Sequence, residues 1–102
     1  EDYVRAEVPI ANPATRNEHG VLTPSTEWSL GADQDSLLVE IPSRYEDLVF
    51  AEPNIAQVWQ THIRTGFTRL FAAGYVVTDF IHNREAGIER SFYVLSLKLT
   101  SP

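Results

Sequence analysis

The 102-residue sequence contains no cysteine and no methionine. Without cysteine there is no disulfide staple, no thiolate metal ligand and no cysteine nucleophile, and the absence is neutral to mildly favourable for a reducing compartment. No apolar run approaches the ~18 residues that a membrane span requires. The opening Glu1-Asp2-Tyr3 has neither the basic segment nor the apolar core of a signal peptide. A cytoplasmic location with no membrane partner is therefore expected. A chain that starts at Glu1 without methionine is expected to be processed or cut from something longer. Basic residues are also few, eight against fourteen acidic ones, giving a net charge of −6. Phosphate backbones are held by clustered Lys and Arg, so no nucleic-acid partner is expected. Glycine is sparse too. Gly20, Gly31, Gly66, Gly74 and Gly87 all stand alone, which excludes a Walker-type loop, a dinucleotide fingerprint and an acyl-CoA pyrophosphate cradle.

What is present suits one modest globular domain spanning 1–102, with 43% hydrophobic and 22% charged residues. Residues 3–8 alternate weakly and end at Pro9, which predicts a short edge strand. Residues 10–36 are rich in Asn, Pro, Thr, Gly and Asp and read as an irregular segment. Val21, Leu22, Trp28 and Leu30 would tie it down, with Trp28 packed on the core or on a partner. Residues 37–41 form a compact apolar run around Glu40, closed by Pro42, and predict a central or near-central strand. Ser43, with Glu46 three residues on, suits the cap of a short helical turn over 44–48.

Asn54 with Gln57 reads as the N-cap of a long helix. Ile55, Trp59, Ile63, Gly66, Phe67 and Leu70 then fall on one helical face. Gly74 supplies a left-handed stop, so one long helix is expected over 55–73, about 19 residues or roughly 28 Å. Two strands follow, 75–82 and 91–99, joined through Gly87. Tyr93, Leu95, Leu97 and Leu99 share the face expected to meet the helix, and the opposite face is apolar only at Phe92 and Val94. Val76 and Phe80 are expected on one side of the preceding strand and Asp79 on the other. The resulting fold class is α+β, an antiparallel sheet packed on one long helix.

Candidate chemistry is thin. His19, His62 and His82 lack metal-ligand spacing, and no metal is expected. His62, at the edge of the helical stripe, is either a pocket acid/base or acceptor contact or a partly buried surface histidine. Asp79, inside an apolar strand, either contacts a substrate amine or acts as a base, or it pairs with Arg64, Arg90 or a backbone amide. Arg64 lies on the polar helix face, and it and Glu40 read by default as lone surface charges. Ser91, Ser96 and Thr78 have no adjacent base, so a stand-alone hydrolase has no supporting motif.

One resemblance is carried by Glu40-Ile41-Pro42, Trp59, Arg64, Phe67, Phe71, the block Gly74-Tyr75-Val76-Val77-Thr78-Asp79-Phe80, and Tyr93-Val94-Leu95. These residues resemble the C-terminal region of a bacterial family of GNAT-superfamily acyltransferases, over a little more than half of the chain. The resemblance implies acyl-CoA-dependent N-acylation of a small amine or amino acid, with acetyl-CoA or succinyl-CoA as donor. Members of that family carry their acyl-CoA loop upstream of the matched region, and this sequence lacks it. The expectation is a GNAT-like C-terminal half, catalytically incomplete alone, that packs beside an upstream catalytic domain or forms a homodimer. No catalytic residue is assigned. His62, Arg64, Asp79 and Tyr93 are candidate acceptor-pocket or structural ion-pair residues. The alternative is a non-enzymatic α+β interaction or dimerisation module using Trp28, Tyr45, Phe50 and Phe92.

Overall fold

Pro53 sets the start of the long helix. It stands in the first turn, where its missing N–H leaves no bond unmade and its fixed φ already suits a helix. The computed structural model, which describes residues 8–25, 28–29, 35–85 and 87–97, therefore starts this helix before the expected Asn54 cap. Glu52 is the capping residue and contributes no side-chain bond. The helix ends at Ala72, and Gly74 follows at φ 102°. Its buried face carries Ala56, Trp59, Gly66 and Leu70, with Ile55, Ile63 and Phe67 half-buried beside them.

The segment before it is a second helix, Tyr45–Ala51, where only a short turn was expected. Ser43 does not cap it, because its hydroxyl is engaged with the Ser91 hydroxyl at 2.8 Å. The elements in chain order are thus β1 (Thr15–Arg16), β2 (Leu22–Thr23), β3 (Ser36–Ile41), α1 (Tyr45–Ala51), α2 (Pro53–Ala72), β4 (Tyr75–Glu85) and β5 (Ile88–Leu97). The fold is α+β, with two helices rather than one among the described residues. The expected strand over 3–8 lies outside the described residues except for Val8, and Lys98 and Leu99 also lie outside them.

β1 and β2 form a small antiparallel ribbon, while β3, β5 and β4 form a sheet in that order. Both outer strands run antiparallel to β5, so β3 and β4 share a direction and α1 with α2 form the crossover between them. β4 and β5 extend toward each other beyond the expected bounds, and Gly87 at φ 79° sits in the tight turn between them.

Leu37, Val39, Leu70, Tyr75 and Leu95 pack between sheet and helix, with Ile63, Phe67, Tyr93 and Leu97 against them. Tyr93, Leu95 and Leu97 thus meet the helix as expected. The opposite face is more buried than its sequence suggested. Leu38, Phe92 and Val94 are covered by Val8, Ile10 and Ile81. Burial of each large apolar side chain stabilises by roughly 1.5–3 kcal/mol, so both faces contribute.

A β-bulge corrects the facing of β4. Val77 pairs with Leu95 and Asp79 with Val94, leaving Thr78 as the extra residue. Phe80 therefore joins Val77 and Tyr75 on the helix side, opposite Tyr93, while Val76 joins Asp79 on the other side. β3, expected to be central or near-central, is an outer strand of the described sheet, and its outer edge is covered by the irregular segment. Ala11 N–H donates to Leu38 O, Leu38 N–H donates to Pro9 O, and Ile10 forms a parallel bridge to Leu38.

Candidate functional site

His62 is anchored by its neighbours and also lines a hollow with Asn54, Gln57, Val58 and Thr61. Its ring stacks on Trp28 at 4.5 Å and meets the edge of Trp59 at 5.6 Å. Its Nε2 lies 3.1 Å from Asn12 Nδ2. Glu40 N–H donates to Asn12 Oδ1 at 2.7 Å, and Asn12 Nδ2 donates to Glu40 O at 3.0 Å. A peptide N–H can only donate, so these bonds fix which end of the amide faces His62. Nε2 is then an acceptor and the ring is neutral. Burial alone pushes its pKa below 6.5. Trp28 reaches this position because Gly66, one turn beyond His62, leaves room for the indole; a Cβ at 66 would collide with it. The expectation that Trp28 packs on the core holds.

Glu40 corrects the reading of a lone surface charge. It is fully buried, and Arg90 grips it through Nε to Oε2 and Nη2 to Oε1, each at 3.0 Å. Ala14 N–H also donates to Oε1 at 3.0 Å. The hydrogen bond to Glu40 raises the Arg90 pKa above its already high value. Arg90 lies over the Phe92 ring as well. The only sequence hint was an acidic residue inside an apolar strand, and nothing local named Arg90 or Asn12 as its partners.

Asp79 is exposed, not buried, and its carboxylate accepts from the Phe80 N–H at 2.8 Å. Of its proposed partners the backbone amide is the one seen, since Arg90 is committed to Glu40. Arg64 is exposed and forms no ion pair among the described residues. The four candidate residues do not converge. His62 meets Trp59 by ring contact, and Tyr93 lines a groove together with Trp59.

Sequence reading missed an ion cluster at Glu89. Arg44 Nε, His82 Nε2 and Arg84 Nη2 approach its carboxylate at 2.8, 3.1 and 3.4 Å, and Arg16 Nη2 donates to its carbonyl at 3.2 Å. The Arg44 hydrogen bond leads in holding the Glu89 pKa below the usual carboxylate range. The adjoining cleft, about 510 Å³, lies between the β1–β2 ribbon, α1 and the β4–β5 turn. It is lined by both signs of charge, including Arg16, Arg44, Asp47, Glu52 and Glu89.

A smaller groove of about 270 Å³ lies where the end of β3 meets α1, α2 and β5. Ile41, Trp59 and Ile63 line it together with Tyr45 and Tyr93. Trp59 is held there by its indole N–H, which donates to Leu22 O at 3.0 Å. Tyr45 donates to Ala56 O at 3.3 Å. Tyr93 is braced edge-on by Phe67 and Phe80, at 5.7 and 5.4 Å between ring centres. Of the four candidate residues, Tyr93 lines this groove and His62 lines a separate hollow formed by α2 residues.

Among the described residues no group of three or more His, Asp or Glu side chains is placed to hold a metal ion. No described helix is long and apolar enough to cross a membrane. No family model matches the chain, and neither a curated protein nor a solved structure matches it.

Proposed function

We propose that this chain is the C-terminal part of a GNAT-like, acyl-CoA-dependent N-acyltransferase, incomplete as a catalyst alone and working in the cytoplasm beside an upstream catalytic segment. Its acceptor would be a small amine or amino acid, and its donor acetyl-CoA or succinyl-CoA. One observation carries the reading: β3 and β4 run in the same direction, joined by a helical crossover, with β5 inserted antiparallel between them. The block Gly74 to Phe80 that carries the resemblance starts β4 and contains its bulge.

The test uses the open reading frame extended upstream of Glu1. Acylation of an amino acid by acetyl-CoA or succinyl-CoA is expected from the extended protein. The 102-residue chain alone should give neither turnover nor a thermal shift with either thioester. Turnover by the chain alone, or none by the extended protein, would overturn the proposal.

A second reading, an interaction module, is favoured by Phe50, which is 92% exposed at the end of α1. Of the other suspected aromatics, Phe92 is fully buried, Trp28 is half-buried against the core, and Tyr45 is exposed on α1. Sedimentation at micromolar concentration separates the readings. A strict monomer that stays a monomer in Phe50→Ser excludes self-association through α1.

A further inference from the structure

We infer that the groove at Tyr93 is a binding site for an uncharged apolar group of side-chain size, and that it selects acceptors of the phenylalanine or leucine class. The word acceptor rests on the proposed function; the binding itself does not.

Three properties of the groove set the ligand class. Its volume of about 270 Å³ falls just short of the ~300–1,000 Å³ typical of drug-sized sites. A benzyl or isobutyl group fits such a space, and a nucleotide cofactor does not. Its lining, completed by Pro42 and Gln60, contains no Asp, Glu, Lys, Arg or His. Burying a charge there would therefore go uncompensated, so the ammonium and carboxylate of an amino acid must remain outside. Its polar groups are few and differently committed. The Tyr45 hydroxyl is spent on Ala56 O. Tyr93 and Gln60 make no side-chain hydrogen bond among the described residues and stand ready to orient a ligand.

The walls are also rigid. Ile41 and Tyr93 lie on paired strands, Trp59 is pinned to Leu22, and Tyr93 is wedged between Phe67 and Phe80. A ligand thus meets a preformed surface and immobilises little protein on binding. The other hollows lack this combination. The cleft at Glu89 is ringed by charges of both signs, with Arg44 paired to Asp47 and Glu89 and Arg16 bonded to backbone carbonyls, so it does not suit an uncharged apolar group. The hollow beside His62 is lined by residues of α2 alone, with no opposing wall.

The test is a titration of the full 102-residue chain with N-acetyl-phenylalaninamide and N-acetyl-leucinamide, followed by amide chemical shifts. Saturable shifts centred on Ile41, Gln60, Ile63 and Tyr93 are expected in the ~1–10 mM range of small weak ligands. N-acetyl-lysinamide and N-acetyl-aspartamide should leave these residues unmoved. Gln60→Trp, a change at an exposed position, should fill the mouth and abolish binding. Tyr93→Phe should weaken it by about five- to tenfold, the worth of one hydrogen bond. No saturable shift, shifts centred elsewhere, equal response to the charged probes, or binding unchanged in Gln60→Trp would each overturn the inference. Binding by this chain without acylation by the extended protein would retain the groove and reject the acyltransferase; acylation without binding would do the reverse.

Discussion

Asn12 and His62, fifty positions apart, share a hydrogen bond whose direction is fixed by a third residue. Glu40 uses its backbone N–H to claim the Asn12 oxygen, so the Asn12 amide can offer His62 only a donor. A protonated imidazole would set donor against donor. Folded His62 thus holds its proton less tightly than the unfolded chain does. Below the unfolded value the unfolded state binds more protons, so stability is complete above about pH 6.5 and declines as pH falls through it. Glu89, whose folded pKa is depressed, keeps its contribution until the carboxylate range is reached. Thermal melts from pH 8 to pH 3 should therefore show two declines. His62→Gln should erase the upper one and spare the lower. A flat native profile between pH 7 and pH 5 would contradict the assigned direction of the Asn12 bond.

Gly66→Ala tests the seat of Trp28. On helix propensity alone the change should stabilise by about 1 kcal/mol. Because the new methyl meets the indole, we expect instead a net loss of about 1–3 kcal/mol, the usual cost of overpacking. Urea denaturation gives the sign, and a red-shifted tryptophan emission would show that Trp28 has been expelled.

Arg90→Met leaves Glu40 buried with only the Ala14 N–H on its carboxylate. Breaking a fully buried pair costs about 3–5 kcal/mol. Arg90 is 40% exposed, and water screens the pair accordingly, so about 2–3 kcal/mol is expected. Glu40→Gln in the Arg90→Met background should recover part of the loss, which a double-mutant cycle in urea would detect.

Deleting a residue from β4 distinguishes the bulge from ordinary strand. Removal of Thr78 should leave Val77 opposite Leu95 and Phe80 opposite Tyr93, with a modest fall in Tm from the lost Thr78 hydroxyl bonds. Removal of Ile81 should shift every later residue to the other face and unfold the hairpin. Ring-to-ring NOEs between Phe80 and Tyr93 would report both outcomes.

The long helix and the hairpin were legible because their signals are local. Periodicity placed Trp59, Phe67 and Leu70 on one face, and alternation placed Tyr93, Leu95 and Leu97 on another. Boundaries moved where a single stereochemical constraint outranked a cap, as Pro53 did over Asn54. The bulge at Thr78 was invisible because the extra residue shows only against a partner strand. The site was legible in part. Tyr93 lies in a groove and His62 sits in a network, but Glu40, Asn12 and Arg90 depend on contacts across 28 to 50 positions. Asp79 was misjudged for a related reason: an apolar neighbourhood in sequence is not burial when the bulge turns the residue to the surface.

The Asn12 side chain occupies both the N–H and the carbonyl of Glu40, and residues 9–11 occupy those of Leu38. A carboxamide thus stands in for a peptide unit, and at this rim the sheet closes on a side chain. A margin whose donors and acceptors are already taken cannot template another strand. Growth of this sheet is therefore one-sided: among the described strands, a neighbour seeking backbone pairing finds it along β4, the margin that carries Phe80.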